Sequence, residues 1–137
     1  MLSNTAEYAL RAVLYVAQHE GLGLVRVNEA ADALDIPKNY LSKVFHELAR
    51  GGVLESSRGQ HGGFRLARPA GKISLLNIVS RFDQISERRR CLLGKDRCSD
   101  HTACLVHERW KDVSEQVATF FRVTTVADLM DGVSSAA

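Results

Sequence analysis

Cys91, Cys98 and Cys104 are the only cysteines in the chain, and all fall within Cys91-Leu-Leu-Gly-Lys-Asp-Arg-Cys98-Ser-Asp-His-Thr-Ala-Cys104. Thiolates are ligands for soft metals and iron–sulfur clusters, and an odd number cannot all pair as disulfides. Zinc sites usually bring closely spaced Cys-x-x-Cys pairs, and the spacings here are wider. A shared metal or redox site is the first expectation, with an iron–sulfur cluster, a zinc clamp and inert buried thiols all open. A second group of residues could hold a polyanion. Between residues 36 and 72 the chain carries Lys38, Lys43, Arg50, Arg58, Arg65, Arg68 and Lys72 against Glu47 and Glu55, a net of +5 where the whole chain has +2. Concentrated positive charge attracts DNA, whereas a merely solvated face mixes the signs. No nucleophile–base pair, nucleotide-binding loop or paired-carboxylate motif occurs, so no enzymatic role is expected.

Periodicity and punctuation predict the elements that position these residues. Ala6, Leu10, Val13, Leu14 and Ala17 recur at helical spacing and give a first helix of about four turns. A capping box of Asn4 and Glu7 would open it, and Gly21-Leu22-Gly23 would end it. A short second helix is expected from a cap at Asn28, with Ala30, Ala31 and Leu34 inward. Asp35-Ile36-Pro37 then forces a break, because proline lacks an amide donor and restricts the residue before it. The third helix runs from about Lys38 to Arg50, burying Leu41, Val44, Phe45 and Leu48, and Gly51-Gly52 closes it. Its exposed face carries Lys38, Asn39, Tyr40, Ser42, Lys43 and His46. Two short helices joined by a tight turn in this way read as a helix-turn-helix.

Residues 53–57 and 64–67 are strand candidates around Arg58-Gly59-Gln60-His61-Gly62-Gly63, whose glycines permit a tight hairpin tip and close backbone approach. The fold class is therefore mostly α with a small β-hairpin, a winged helix-turn-helix. The helix offers donors and acceptors to base edges in the major groove, while the wing sets an arginine against phosphate or a narrow minor groove. The expected DNA-contact set is Lys38, Asn39, Tyr40, Ser42, Lys43, Arg58, Gly59, His61, Gly62, Gly63 and Arg65.

Ser74 can cap a fourth helix with Leu75, Ile78, Val79 and Phe82 on one face. Arg88-Arg89-Arg90 and the cysteine segment follow with little periodicity and read as a loop. From about Ala103 a long helix carries Leu105 or Val106, Trp110, Val113, Val117, Phe120 and Phe121 at helical spacing. A stripe this large points to a second copy packing helix against helix. Thr125 to Asp128 resembles a capping box opening a final turn or two, and Gly132 to Ala137 should fray. Residues 1–72 are expected to form the DNA-binding domain, its first helix also touching the dimer partner. Residues 73–137 supply the linker helix, cysteine loop and dimerisation helix. At 137 residues, 45% hydrophobic and 25% charged, the composition is ordinary for a globular chain. No apolar run reaches the roughly 18 residues of a membrane span, and the first residues lack a basic region followed by an apolar one. A cytoplasmic protein without a membrane partner is expected, and structural disulfides are rare in that compartment.

In this order and spacing the motifs resemble the IscR and NsrR family of bacterial winged-helix regulators, the Rrf family, over nearly the whole chain. Leu2-Ser3 followed by Glu7-Tyr8-Ala9-Leu10-Arg11 resembles the family's opening. Ile36 to Leu41 through Phe45-His46-Glu47-Leu48 resembles its recognition helix, and Ser57-Arg58-Gly59 through Gly62-Gly63-Phe64-Arg65-Leu66 resembles its wing. The three-cysteine loop running into Cys104-Leu105-Val106-His107 and Trp110 is similar to the IscR branch in particular. The resemblance implies a homodimer on a palindromic double-stranded DNA operator, with one iron–sulfur cluster, 2Fe-2S or 4Fe-4S, in each subunit and cluster state controlling DNA affinity. It implies Cys91, Cys98 and Cys104 as the cluster thiolates. His107 matches the histidine of the IscR branch as fourth ligand, whereas Glu7 matches the acidic residue that NsrR-like members supply from the partner subunit. The alternative is a cluster-free repressor of the same family answering a small ligand, a protein partner or thiol oxidation.

Overall fold

The computed structural model describes residues 2–60, 62–83 and 107–136. Helix α1 (Asn4–Gln18) is followed by a 3-10 turn (Glu20–Leu22), α2 (Val27–Leu34) and α3 (Lys38–Arg50). Strands β1 (Leu54–Ser57) and β2 (Gly63–Leu66) form an antiparallel hairpin in which Leu54 faces Leu66 and Ser57 faces Gly63. A second 3-10 turn (Ala70–Lys72) leads into α4 (Leu75–Val79), and α5 (His107–Val123) and α6 (Val126–Ala136) complete the described fold. Predominantly helical structure with one small hairpin is the expected winged helix-turn-helix.

Helix α1 is the hub, packing against α2, α3, β2, α4 and α6. Its buried face is built from Ala6, Ala9, Ala12, Val13, Val16 and Ala17, small enough for several elements to approach the same helix. Leu10 and Leu14, expected inside, are only half-buried beside this line. One continuous core joins both halves of the sequence: Leu41, Phe45, Leu48 and Val53 from the helix-turn-helix pack with Ile73, Ile78, Val79, Phe121 and Val126. Phe45 and Phe64 meet edge-to-face at 4.9 Å between ring centres, which seats the wing on α3.

Several boundaries differ from the expectation, each for a local reason. The cap of α1 is Ser3, whose Oγ accepts the Ala6 N–H at 3.1 Å, and Asn4 is already helical. Ser3 is held extended because its own N–H donates to Asp83 Oδ2 at 2.9 Å, a contact eighty residues away in sequence. Glu7 consequently stands one turn inside the helix and does not close a capping box. Helix α2 begins at Val27, near the expected point, but its cap position is Arg26 rather than Asn28, because Val25 is paired with Phe64 through two backbone hydrogen bonds, N–H to O at 2.9 and 2.7 Å. The chain is thus extended until Arg26, whose N–H donates to Glu29 Oε1 at 2.8 Å.

Ser74 caps α4 as expected, with the Asn77 side chain returning a bond to the Ser74 N–H. This helix ends at Val79, however, and Phe82 reaches the core from the turn beyond it. Thr125 and Asp128 exchange the reciprocal bonds of a capping box, and α6 then runs eleven residues through Gly132 instead of a turn or two. Leu129 and Met130 hold it on the core. The stripe on α5 splits: Phe121 is buried and Val117 half-buried, while Val113 and Phe120 stand 46% and 53% exposed; Val123, outside the expected stripe, is 62% exposed. Residues 103–106, where this helix was expected to begin, lie outside the described residues.

Candidate nucleic-acid interface and metal-ligand positions

Opposite the buried line of α3, the side chains of Lys38, Asn39, Tyr40 and Lys43 are exposed and Ser42 is half-buried. His46 Nδ1 lies 2.7 Å from the Ser42 carbonyl, and its ring meets Phe64 edge-on at 5.7 Å, so the face of α3 runs continuously onto the wing. Tyr40 is held from behind. Its hydroxyl is hydrogen-bonded to that of Thr5, and its ring packs edge-to-face on Tyr8 at 5.5 Å. Arg11 lies 5.8 Å from the Tyr8 ring centre and donates to the Leu34 carbonyl at 2.8 Å. The beginning of α1 is thereby tied to the start of α3 and the end of α2.

In the wing, Gly59 adopts φ 113°, a conformation that disfavours side chains, and at Gly62 space is lacking: a Cβ there would lie 2.3 Å from the Ser57 carbonyl oxygen. The Gly62 N–H closes the tip on the Gly59 carbonyl at 3.0 Å. Arg58 stands exposed immediately after β1, and Gly63 opens β2. Arg65 is paired across the strands with Glu55 at 3.0 Å, both side chains more than half exposed. Such a pair is worth about 1 kcal/mol or less and can give way to a phosphate. His61 lies outside the described residues. The wing also has a tether with no trace in the periodicity: the Arg26 guanidinium donates to the Gln60 carbonyl.

Arg58→Ala is expected to weaken operator binding and to lower the salt slope of log K by about 1 per subunit, the effect of losing one phosphate contact. Titrations at several salt concentrations read both quantities, and an unchanged affinity and slope would remove Arg58 from the interface.

Cys91, Cys98 and Cys104, with Arg88, Arg89 and Arg90, lie outside the described residues. His107 is the first residue of α5. Glu7 is exposed on α1, and its carboxylate makes no hydrogen bond or ion pair among the described residues. Among the described residues, no group of three or more His, Cys, Asp or Glu is placed to hold a metal ion, and no helix is long and apolar enough to cross a membrane.

Residues 2–132 match the family described as "Rrf2: Iron-dependent Transcriptional regulator". A helix-turn-helix transcriptional regulator of Aquifex aeolicus is 38% identical over 133 residues, covering 96% of this chain and 92% of that relative. The transcriptional regulator IscR of Xenorhabdus nematophila is 33% identical over 129 residues, covering 94% of this chain and 78% of its own length. Among solved structures, CymR, the global cysteine regulator of B. subtilis, superposes with a TM-score of 0.82 at 21% identity, covering 96% of both chains.

Proposed function

The chain belongs to the Rrf2 family of DNA-binding transcriptional regulators, and from that premise we propose that it is a homodimer whose affinity for a palindromic operator is set by an iron–sulfur cluster. It is a regulator rather than an enzyme, as its family and relatives are. The observation that carries the cluster reading is the set of three clustered cysteines in a chain with IscR relatives. The donor chemistry fits: three thiolates suit iron, and they leave one position for a harder or neutral ligand.

Cys91, Cys98 and Cys104 would hold the group, with Glu7 of the partner subunit or His107 of the same chain completing the set. Two observations favour Glu7. The cap of α1 is Ser3, so the carboxylate has no capping duty, and it stands exposed without a partner among the described residues. A carboxylate is a hard ligand for a soft centre, and its bond would be the most readily lost. When bound, a cluster supplies a centre whose charge and ligation answer to iron supply, redox state or nitric oxide. The chain's own part is to convert ligation of α1 into placement of α3, and the Thr5–Tyr40 and Tyr8–Tyr40 contacts are suited to that. Only a difference between the two states in the geometry offered to DNA can shift affinity.

The exposed Val113, Phe120 and Val123 support the homodimer, since this apolar face of α5 is uncovered by the described residues. The fold shared with CymR across nearly both chains fits equally a second reading, a cluster-free regulator answering a small ligand, a protein partner or thiol oxidation.

Anaerobic purification from a cluster-competent host is expected to give a coloured protein with iron and sulfide in cluster stoichiometry. Glu7→Ala should shift its visible spectrum, and His107→Ala should leave it unchanged. A colourless, iron-free parent would end the cluster reading, and the reverse pattern in the two variants would make His107 the fourth ligand.

A further inference from the structure

The C-terminal half of the recognition helix is tied to the point where the chain leaves α4 towards the cysteines. Arg81 Nη2 donates to Glu47 Oε1 at 2.7 Å, with both side chains about one-third exposed. Arg50 lies 3.5 Å from the other oxygen of Glu47, so the carboxylate is shared by two cations. Arg81 reaches Glu47 by lying across Gly51: a Cβ there would stand 2.8 Å from Arg81 Cδ and Nε. Two residues on, Asp83 accepts the Ser3 N–H at the cap of α1. The turn at 81–83 therefore grips α3 near its end and α1 at its start, while α1 grips the start of α3 through Tyr40.

We infer that Glu47 and Arg81 are a positioning pair for operator recognition, fixing the end of α3 against the turn from which the cysteine-bearing segment departs. Glu47 and Arg50 follow Lys43 on α3, so the pair sets the tilt of the helix that carries the base-reading side chains. Releasing it leaves α3 pinned at Tyr40 and free to swing at its other end. The inference deepens the proposed function by naming the link between cysteine segment and DNA, but the pair's effect on DNA binding is testable in the cluster-free protein.

The test exploits the sign of the charge change. Glu47→Gln removes a negative charge from a DNA-binding face, so electrostatics alone predicts tighter binding to any DNA. Positioning predicts the opposite for the operator: about three- to fivefold weaker binding, the scale of a partly exposed ion pair, with non-specific binding unchanged or tighter. Gly51→Ala should displace Arg81 without altering any charge, at a residue whose φ of −82° accepts alanine, and should weaken operator binding similarly. The charge reversal Glu47→Arg with Arg81→Glu should recover part of the loss, because it restores the pairing with position 81 while Arg50 loses its carboxylate. Each variant is titrated with operator and with random DNA, as colourless apoprotein and after cluster reconstitution. Operator affinity equal to or above the parent's in Glu47→Gln, or an equal fall on both DNAs, would overturn the pair's role. A parent that shows no difference between apoprotein and reconstituted protein would instead overturn the cluster reading, leaving the pair to be judged on the first comparison.

Discussion

Replacing Cys91, Cys98 and Cys104 together by serine is expected to give a folded protein that is colourless under anaerobic isolation and binds the operator with a single affinity, whatever the supply of iron and sulfide. The serine hydroxyl is close in size to the thiol but is not deprotonated at neutral pH, so it does not replace a thiolate towards iron. The substitution changes none of the residues of the described core. Cluster content should fall to background, and the ratio of operator affinities between reconstituted and untreated protein should fall to one. Retained regulation in the triple variant would favour the cluster-free reading instead. Near-ultraviolet and far-ultraviolet circular dichroism of the same sample separates loss of the switch from loss of the fold.

The second large effect lies in the core. Phe45→Ala is expected to destabilise the fold by about 3–5 kcal/mol, the usual cost of truncating a fully buried phenylalanine. Phe45 is completely buried, between Leu41, Val44 and Leu48 of its own helix and the Phe64 ring of the wing. Its removal would open a cavity at the junction through which α3, β2 and α1 are held together. Against a total stability of roughly 5–15 kcal/mol such a loss leaves a marginal protein. Urea titration gives the value directly. A loss below about 1 kcal/mol would mean that the surrounding side chains close the space, and that wing and recognition helix are less firmly joined than the ring contact implies.

What the sequence revealed about the fold depended on how local the cause was. Helix α3 matches its expected limits and buried positions because Pro37, the helical spacing of Leu41, Val44, Phe45 and Leu48, and the glycine pair all lie within one short stretch. The wing was legible for the same reason. The start of α1 was not, since the choice between Ser3 and Asn4 as cap rests on Asp83, at the other end of the core. Nor does periodicity show that Arg26 holds the wing tip or that Arg81 holds Glu47, because a single side chain meeting one thirty-four residues away leaves no repeating signal. Fraying was expected from Gly132 onward, yet a capped start and the packing of Leu129 and Met130 carry α6 past it. For the metal site, residue types and clustering pointed to the three thiols. Ligation by Glu7, as proposed, would depend on a helix start and on a second subunit, neither of which is written in the spacing.

The buried alanines of α1 have a bearing on how such a regulator can diversify. Ala6, Ala9 and Ala12 are fully enclosed, so any larger side chain there would push apart helices that meet on this one line. The outward positions of α3, at Lys38, Asn39 and Lys43, bear no such packing demand. Drift is thus channelled: the hub is frozen to the smallest side chains, while these exposed positions can be exchanged one at a time. A lineage built on this plan can move to new operators, and so to new sets of target genes, without rebuilding the protein that reads them.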